Sequence, residues 1–238
     1  MFLFVSNGVG TLENNLLSLS KLVIGYDKPL SEPITLKVGP GEIVAVLGSS
    51  GIGKTTLLRT IASLVMPLSG TSKTHVEQVG GLGYIPQNLG LVRHGTVAHN
   101  VALGAGVRMK WSLNMYAERR ERVMEALSAV GMEHKASEPV RRLSGGQKRR
   151  VATARTLAQR PKLILADEFL SELDDTNATA VMDAVFPLLM DGSSLIMVEH
   201  NEEHALKYAT RIWELRDGCF NDLSAEAWKE RRNGADEP

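Results

Sequence analysis

The chain has 238 residues, and its 27 Lys plus Arg balance 27 Asp plus Glu, so a broad basic face is not indicated and no nucleic-acid partner is expected. Hydrophobic residues make up 43% and charged residues 23%, an ordinary globular composition with enough apolar surface for one cored domain or a domain with a subdomain. The single cysteine, Cys219, excludes a disulfide framework and a thiolate metal cluster. It reads as a partly buried small hydrophobe in a reducing, cytoplasmic compartment.

The opening MFLFVSNGVG has a short apolar run without a basic flank, unlike a secretory signal. No stretch approaches the ~18 apolar residues of a membrane span, so another chain must cross any membrane this protein serves. Residues 16–24 and 34–38 are rich in β-formers and bounded by Pro and Gly, which predicts strands. Residues 42–47 (EIVAVL) predict a buried parallel strand, and Lys54 to Leu64 a helix. Residues 116–130 predict a helix with Val123, Met124, Leu127 and Val130 on one face and a C-cap at Gly131. A second helix is expected from Ser144 to about Gln159, stopped by Pro161. The short apolar runs 163–166 and 195–198 end at charged residues, as buried strands do when they deliver side chains to a site. The expected layout is an α/β core with a helical subdomain inserted at 88–160, and a frayed tail over 229–238.

Residues 48–55, GSSGIGKT, lie between a predicted strand and a predicted helix, where the pattern G-x-x-x-x-G-K-[ST] cradles phosphate. The glycines turn backbone N–H groups inward, and the helix start adds positive potential. Lys54 is placed to reach β- and γ-phosphates, and the Thr55 hydroxyl to ligate Mg²⁺. LILADE (163–168) ends a strand in two acids: Asp167 as the metal partner through water, and Glu168 as the base that orients an attacking water. LSGGQ (143–147) reads as a second phosphate-binding helix start, with Ser144 as N-cap and Gly145 and Gly146 baring the backbone, or equally, taken alone, as a capped helix with a flexible first turn.

Together with Gln87 in YIPQ, SELD (171–174) and His200 in MVEH, these motifs stand in the order found in ABC ATPases. Over roughly residues 16–222 the chain resembles the nucleotide-binding domains of that family. The resemblance implies a P-loop NTPase fold of the ABC type: a RecA-like, mostly parallel sheet flanked by helices, an antiparallel β subdomain and an inserted helical subdomain. It divides one domain into a core of 1–87 and 161–222, a signature subdomain of 88–160 and a tail of 223–238. It implies ATP and Mg²⁺ as ligands, held by Gly48, Ser49, Ser50, Gly51, Ile52, Gly53, Lys54, Thr55 and Thr56. Tyr26 matches the aromatic that stacks on adenine, or is a strand-end tyrosine packing on the core. Gln87 matches the Q-loop glutamine that touches Mg²⁺ and the water, and His200 the switch histidine at the γ-phosphate. Asp174 matches the aspartate that communicates across the dimer, with a plain helix N-cap as the alternative for its side chain.

In such a dimer Ser144, Gly145, Gly146 and Gln147 of one chain face the nucleotide held by Lys54 of the other. One copy has one of each motif, so it needs a second copy or a paralogous subunit. Phe169, Glu172, Glu199, Lys148 and Arg149 depart from the family pattern, and Glu172 and Glu199 add negative charge near the site. The layout resembles bacterial importer subunits, and 83–105, 126–147 and 204–218 look most like phosphonate-importer ATPases. That likeness implies permease partners, an extracytoplasmic solute-binding protein and a place on the inner face of the membrane. A lipid- or lipoprotein-extracting or cell-division complex is the alternative. The surface for the permease is expected within 88–110, where Arg93, His94 and Arg108 mix with Leu89, Leu91, Val92 and Val97; ordinary subdomain packing is the alternative reading of that segment.

Overall fold

The computed structural model describes residues 15–107, 109, 114–170 and 173–233; residues 1–14, Arg108, residues 110–113, Ser171, Glu172 and residues 234–238 lie outside the described residues. In chain order come β1 (Leu17–Val23), β2 (Ile34–Val38), β3 (Ile43–Leu47), α1 (Lys54–Ile61), β4 (Ser69–Thr74) and β5 (Leu82–Ile85). Then follow α2 (Val97–Ala105), α3 (Met115–Ala129), α4 (Gly145–Gln159), β6 (Leu163–Ala166) and α5 (Asp175–Met190). The chain ends with β7 (Ser194–Val198), α6 (Glu202–Tyr208), β8 (Arg211–Arg216), β9 (Cys219–Ser224) and α7 (Ala225–Asn233).

Two sheets result. The smaller is antiparallel, in the order β2-β1-β4, and the larger runs β5-β6-β7-β3-β8-β9. All pairings in the larger sheet are parallel except the last, β8 with β9. Every residue of β3, β6 and β7 is buried, as central parallel strands covered on both faces must be. β2 alternates buried and exposed because only one of its faces meets the core. The large sheet divides the interior in two. Ile43, Ala45 and Leu47 join the helices α2 to α5 on one side, while Val44 and Val46 join α1 and the antiparallel sheet on the other.

Four expectations need correcting. First, α1 stops at Ile61, because Ser63 takes a left-handed backbone (φ 58°), and Leu64 is exposed. Second, α3 buries Val123, Ala126 and Leu127 and is followed by buried Val130; Met124 lies off that stripe and is exposed. Third, Cys219 is exposed, because it starts the edge strand β9. Fourth, of the tail expected to fray over 229–238, residues 229–233 belong to helix α7, and 234–238 lie outside the described residues. Trp228 explains the last difference: it is buried in the main core, an anchor whose truncation typically costs about 3–5 kcal/mol. Ion pairs Arg231–Glu214 and Arg232–Glu202 hold the same helix to the body.

Candidate active site

The strand order builds the site. β7 lies between β3, which runs into residues 48–53, and β6, which ends at Asp167 and Glu168. All three strands are parallel, so their carboxyl ends open on one edge, where α/β sheets bind ligands. Gly48 (φ 148°) leaves β3 against the Leu215 carbonyl, which a Cβ would strike. Gly53 (φ 112°) precedes α1, which has no side-chain cap on its first turn. The first N–H groups of α1 therefore belong to the loop's own cradle and whatever anion it holds. Lys54 is buried and donates to the carbonyls of Gly48 (2.6 Å) and Ser49 (2.9 Å), curling its ammonium back over the loop. Burial lowers its pKa from the usual lysine value, and the charges of Glu168 and Asp167 oppose that fall.

Opposite the loop, the Thr55 hydroxyl donates to Asp167 Oδ1 at 3.0 Å. Asp167 is 1% exposed and its Oδ2 is buried without a hydrogen-bond partner. Burial raises its carboxyl above the usual carboxylate range; the Thr55 hydrogen bond works against that rise. Glu168 follows in a left-handed conformation (φ 51°), a strained turn of the kind concentrated at functional sites. It is gripped from two sides. Gln87 Nε2 donates to its Oε2 at 2.8 Å, and His200 Nε2 lies 3.0 Å from its Oε1. Because a carboxylate only accepts, the His200 hydrogen is assigned to Nε2. Ser50, Gly51, Gly53, Lys54, Thr55, Thr56, Gln87, Glu168 and His200 line one cavity of about 280 Å³. Gly48, Ser49 and Ile52 line a neighbouring cavity that also reaches His200. Tyr26 is 56% exposed just beyond β1, so its ring is open to stacking rather than packed in the core.

The LSGGQ segment lies elsewhere. Ser144 caps α4 by accepting from Gln147 N (3.3 Å), and Gln147 Oε1 accepts from Ser144 N (3.1 Å), a reciprocal capping box. α4 begins and ends as expected, closed by Arg160 with φ 53° before Pro161. Ser144, Gly146 and Gln147 line a separate cavity of about 360 Å³ with Asp174 and Asn177. No residue lines both this cavity and the phosphate-loop cavity. Asp174 caps α5, accepting from Asn177 N at 2.7 Å, so the helix-cap alternative describes its side chain here. A family profile described as ABC transporter matches residues 31–171, which span the phosphate loop, LSGGQ and the Asp167–Glu168 pair.

The chain belongs to the ABC transporter ATPase family.

The ATPase is 36% identical over 223 residues to the phosphonates import ATP-binding protein PhnC of Shigella sonnei, a match covering 84% of this chain and 85% of the relative. The same protein of Escherichia coli K12 matches at the same identity and coverage. Among solved structures, CbiO1 of Clostridium perfringens, part of the ABC transporter complex CbiONQ, superposes with TM-score 0.78 at 26% identity, covering 95% of this chain and 97% of that one. A dimeric ATP-binding cassette in a post-hydrolysis state, bound to ADP and phosphate, superposes with TM-score 0.76 at 28% identity, covering 88% and 98%. The fold is the P-loop NTPase fold of ABC cassettes, and the chain is a transporter ATP-binding subunit that binds and hydrolyses ATP. No described helix of the ATPase is long and apolar enough to cross a membrane.

Two anchors of the site were not legible as anchors in the sequence. Glu199 is fully buried and its Oε1 accepts from Leu170 N at 2.8 Å, so this departure from the family pattern ties the end of β7 to the segment after Glu168. Arg155, on α4, donates to the carbonyls of Leu89 (2.7 Å) and Gly90 (2.8 Å), both in left-handed backbone, and pins the turn after Gln87. The only sequence signal for either is a charged residue at the end of a buried strand or on the buried face of a helix.

Proposed function

We propose that this ATPase powers import of a small phosphonate-like solute through separate membrane permease subunits, working as a dimer that binds ATP between its copies. The observation that carries the solute class is the 36% identity to a phosphonates import ATPase along 84% of the chain. The dimer rests on geometry: phosphate loop and LSGGQ line separate cavities in one copy, so each copy offers two half-sites. In this reading Lys54 holds the β- and γ-phosphates, and Tyr26 stacks on adenine. Ser144, Gly145 and Gly146 of the second copy close over the γ-phosphate with their bared N–H groups. Glu168 orients the attacking water, held in register by Gln87 and by His200, which also contacts the γ-phosphate.

Mg²⁺ fits the donor set. The orphaned Oδ2 of Asp167 lies on a carboxylate already bonded to the Thr55 hydroxyl, a hard-oxygen pair of the kind this ion takes together with water and phosphate. Thr55, Asp167 through water, and Gln87 would hold it, and its charge would offset that of the phosphates.

The permease is assigned to the groove of about 370 Å³ beside Gln87, lined by Leu89, Leu91, Arg93, Lys148 and Arg149. An extracytoplasmic binding protein would select the solute, and the complex would lie on the inner face of the membrane. The test is uptake. Cells lacking their own phosphonate importer receive this chain with its native permease and binding protein, and radiolabelled methylphosphonate uptake is measured. Uptake that depends on Glu168 and is lost in Leu91→Asp, with ATPase activity of the purified subunit intact, supports the assignment. No uptake, with the complex assembled and hydrolysing ATP, rejects the solute class and turns attention to a membrane complex that extracts lipid or lipoprotein.

A further inference from the structure

His200 sits between two tethers to the same stretch of chain. Before it, the buried Glu199 accepts from Leu170 N. After it, Asn201 caps α6, accepting from Glu203 N at 2.8 Å and His204 N at 3.3 Å. His204 then turns back toward α5, where its Nε2 lies 3.2 Å from Asp175 Oδ1. Leu170 and Asp175 bracket the segment that follows Glu168 and leads into α5. Further along α6, the Tyr208 hydroxyl lies 3.2 Å from Thr179 Oγ1, and Lys207 Nζ donates to that same oxygen at 3.3 Å. The two helices are therefore joined by polar bonds along one side.

Within this seam the His204 bond differs from the rest. Its side chain is 11% exposed and its Nδ1 is buried without a partner, so the side chain is oriented by a single hydrogen bond. Asp175, by contrast, has a side chain 89% exposed and supplies only a carboxylate oxygen. A carboxylate only accepts, which places a hydrogen on His204 Nε2. A ring desolvated to make one bond to a surface acid adds little net stability by itself. It is placed to restrain the first turn of α6, which begins two residues after His200.

We infer that His204 is a positioning residue: through Asp175 it sets the angle at which β7 and α6 present His200 to Glu168, coupling the start of α5 to the switch histidine. The inference rests on the role proposed above for His200. A displacement of the α5 start would then move His200 without touching nucleotide.

Steady-state ATP hydrolysis by the full chain tests this, using His200→Ala, His204→Ala, His204→Gln, Asp175→Ala and the double variant His204→Ala with Asp175→Ala. His204→Ala is expected to lower kcat about tenfold and leave KM for ATP within about twofold, as loss of orientation without loss of binding does. His204→Gln, whose amide can reach the same oxygen, should recover kcat to within about threefold of the parent. Asp175→Ala should match His204→Ala, and the double variant should be no slower than either, because both remove one bond. The inference is overturned if His204→Ala stays within about twofold of the parent in kcat, if glutamine recovers no more than alanine, or if the double variant multiplies the single losses. Should His204→Ala fail to fold, Asp175→Ala and His204→Gln decide alone, since Asp175 lies on the surface. If His200→Ala keeps full turnover, it is the role of His200 that fails; if only His200→Ala loses turnover, the coupling through His204 fails while that role stands.

Discussion

The phosphate-loop cavity and the LSGGQ cavity are built on opposite plans. In the first, reactive side chains are knotted together: Lys54 to loop carbonyls, Thr55 to Asp167, and Glu168 to both Gln87 and His200. In the second, only a helix start is prepared. Ser144 and Gln147 cap one another, and nothing lies within 4 Å of where a side chain on Gly145 would begin. One region stores chemistry in groups that restrain each other; the other offers bare N–H dipoles, and the acid that lines it, Asp174, is committed to capping α5. Such a pair makes sense if the second supplies recognition to a reaction the first carries out, and a single copy then holds both parts without bringing them together.

The largest effect should fall on the first region. Glu168→Gln removes the charge that orients water but keeps an oxygen for Gln87, and is expected to lower kcat by about 10²–10³. Light scattering should then show a dimer that persists in ATP; a monomer at saturating ATP would break the division between the two cavities. A smaller effect is expected in the second region. Ser144→Ala removes the cap, costing about 1 kcal/mol of stability, and should lower kcat about tenfold through the displaced helix start. Equal losses in both regions would erase the contrast, and denaturant titration beside kinetics separates the two components of the Ser144 effect.

The smallest effect sharpens the first region's strain. Burial holds the Asp167 carboxyl above the usual carboxylate range, so its ionised form costs stability at neutral pH. That cost vanishes below about pH 4, where folded and unfolded chains both carry the proton. Asp167→Asn should therefore raise unfolding free energy at pH 7 by about 1 kcal/mol and give no gain below about pH 4, while hydrolysis is lost. Urea titrations at the two pH values measure it; an equal gain at both would mean that burial of the charge is not the cause.

These contrasts explain what was legible in the sequence. β2 and β6 fall on the expected residues because a strand's pattern is local: alternation for a one-sided strand, an unbroken apolar run for a central one. α4 was legible at both ends because Ser144 caps it and Pro161 stops it. α7 was not, since KERR reads as a solvated tail and one residue, Trp228, supplies its anchor. Met124 was misplaced because Ala126, small and easily overlooked, completes the buried stripe instead. Lys54, Thr55, Asp167, Glu168 and Ser144 were legible by type and spacing, while Gln87 and His200 came only with the family resemblance; the structure gathers Lys54, Thr55, Gln87, Glu168 and His200 around one cavity. Their mutual bonds were not legible, because Gln87, Glu168 and His200 come from three separate segments whose adjacency depends on strand order. Glu199 was read as extra charge beside the site; its commitment to Leu170 N depends on a backbone path that no motif records.

That strand order has a mechanical consequence. With β7 interposed, the strands bearing the lysine loop and the two acids stand two ladder spacings apart, about 9.6 Å. No side-chain substitution can narrow that gap, since it is ruled by backbone bonds on both sides of the middle strand. The hydrogen bond from Thr55 to Asp167 crosses that fixed gauge. Removing the Thr55 hydroxyl leaves a shortfall that the sheet has no means to close.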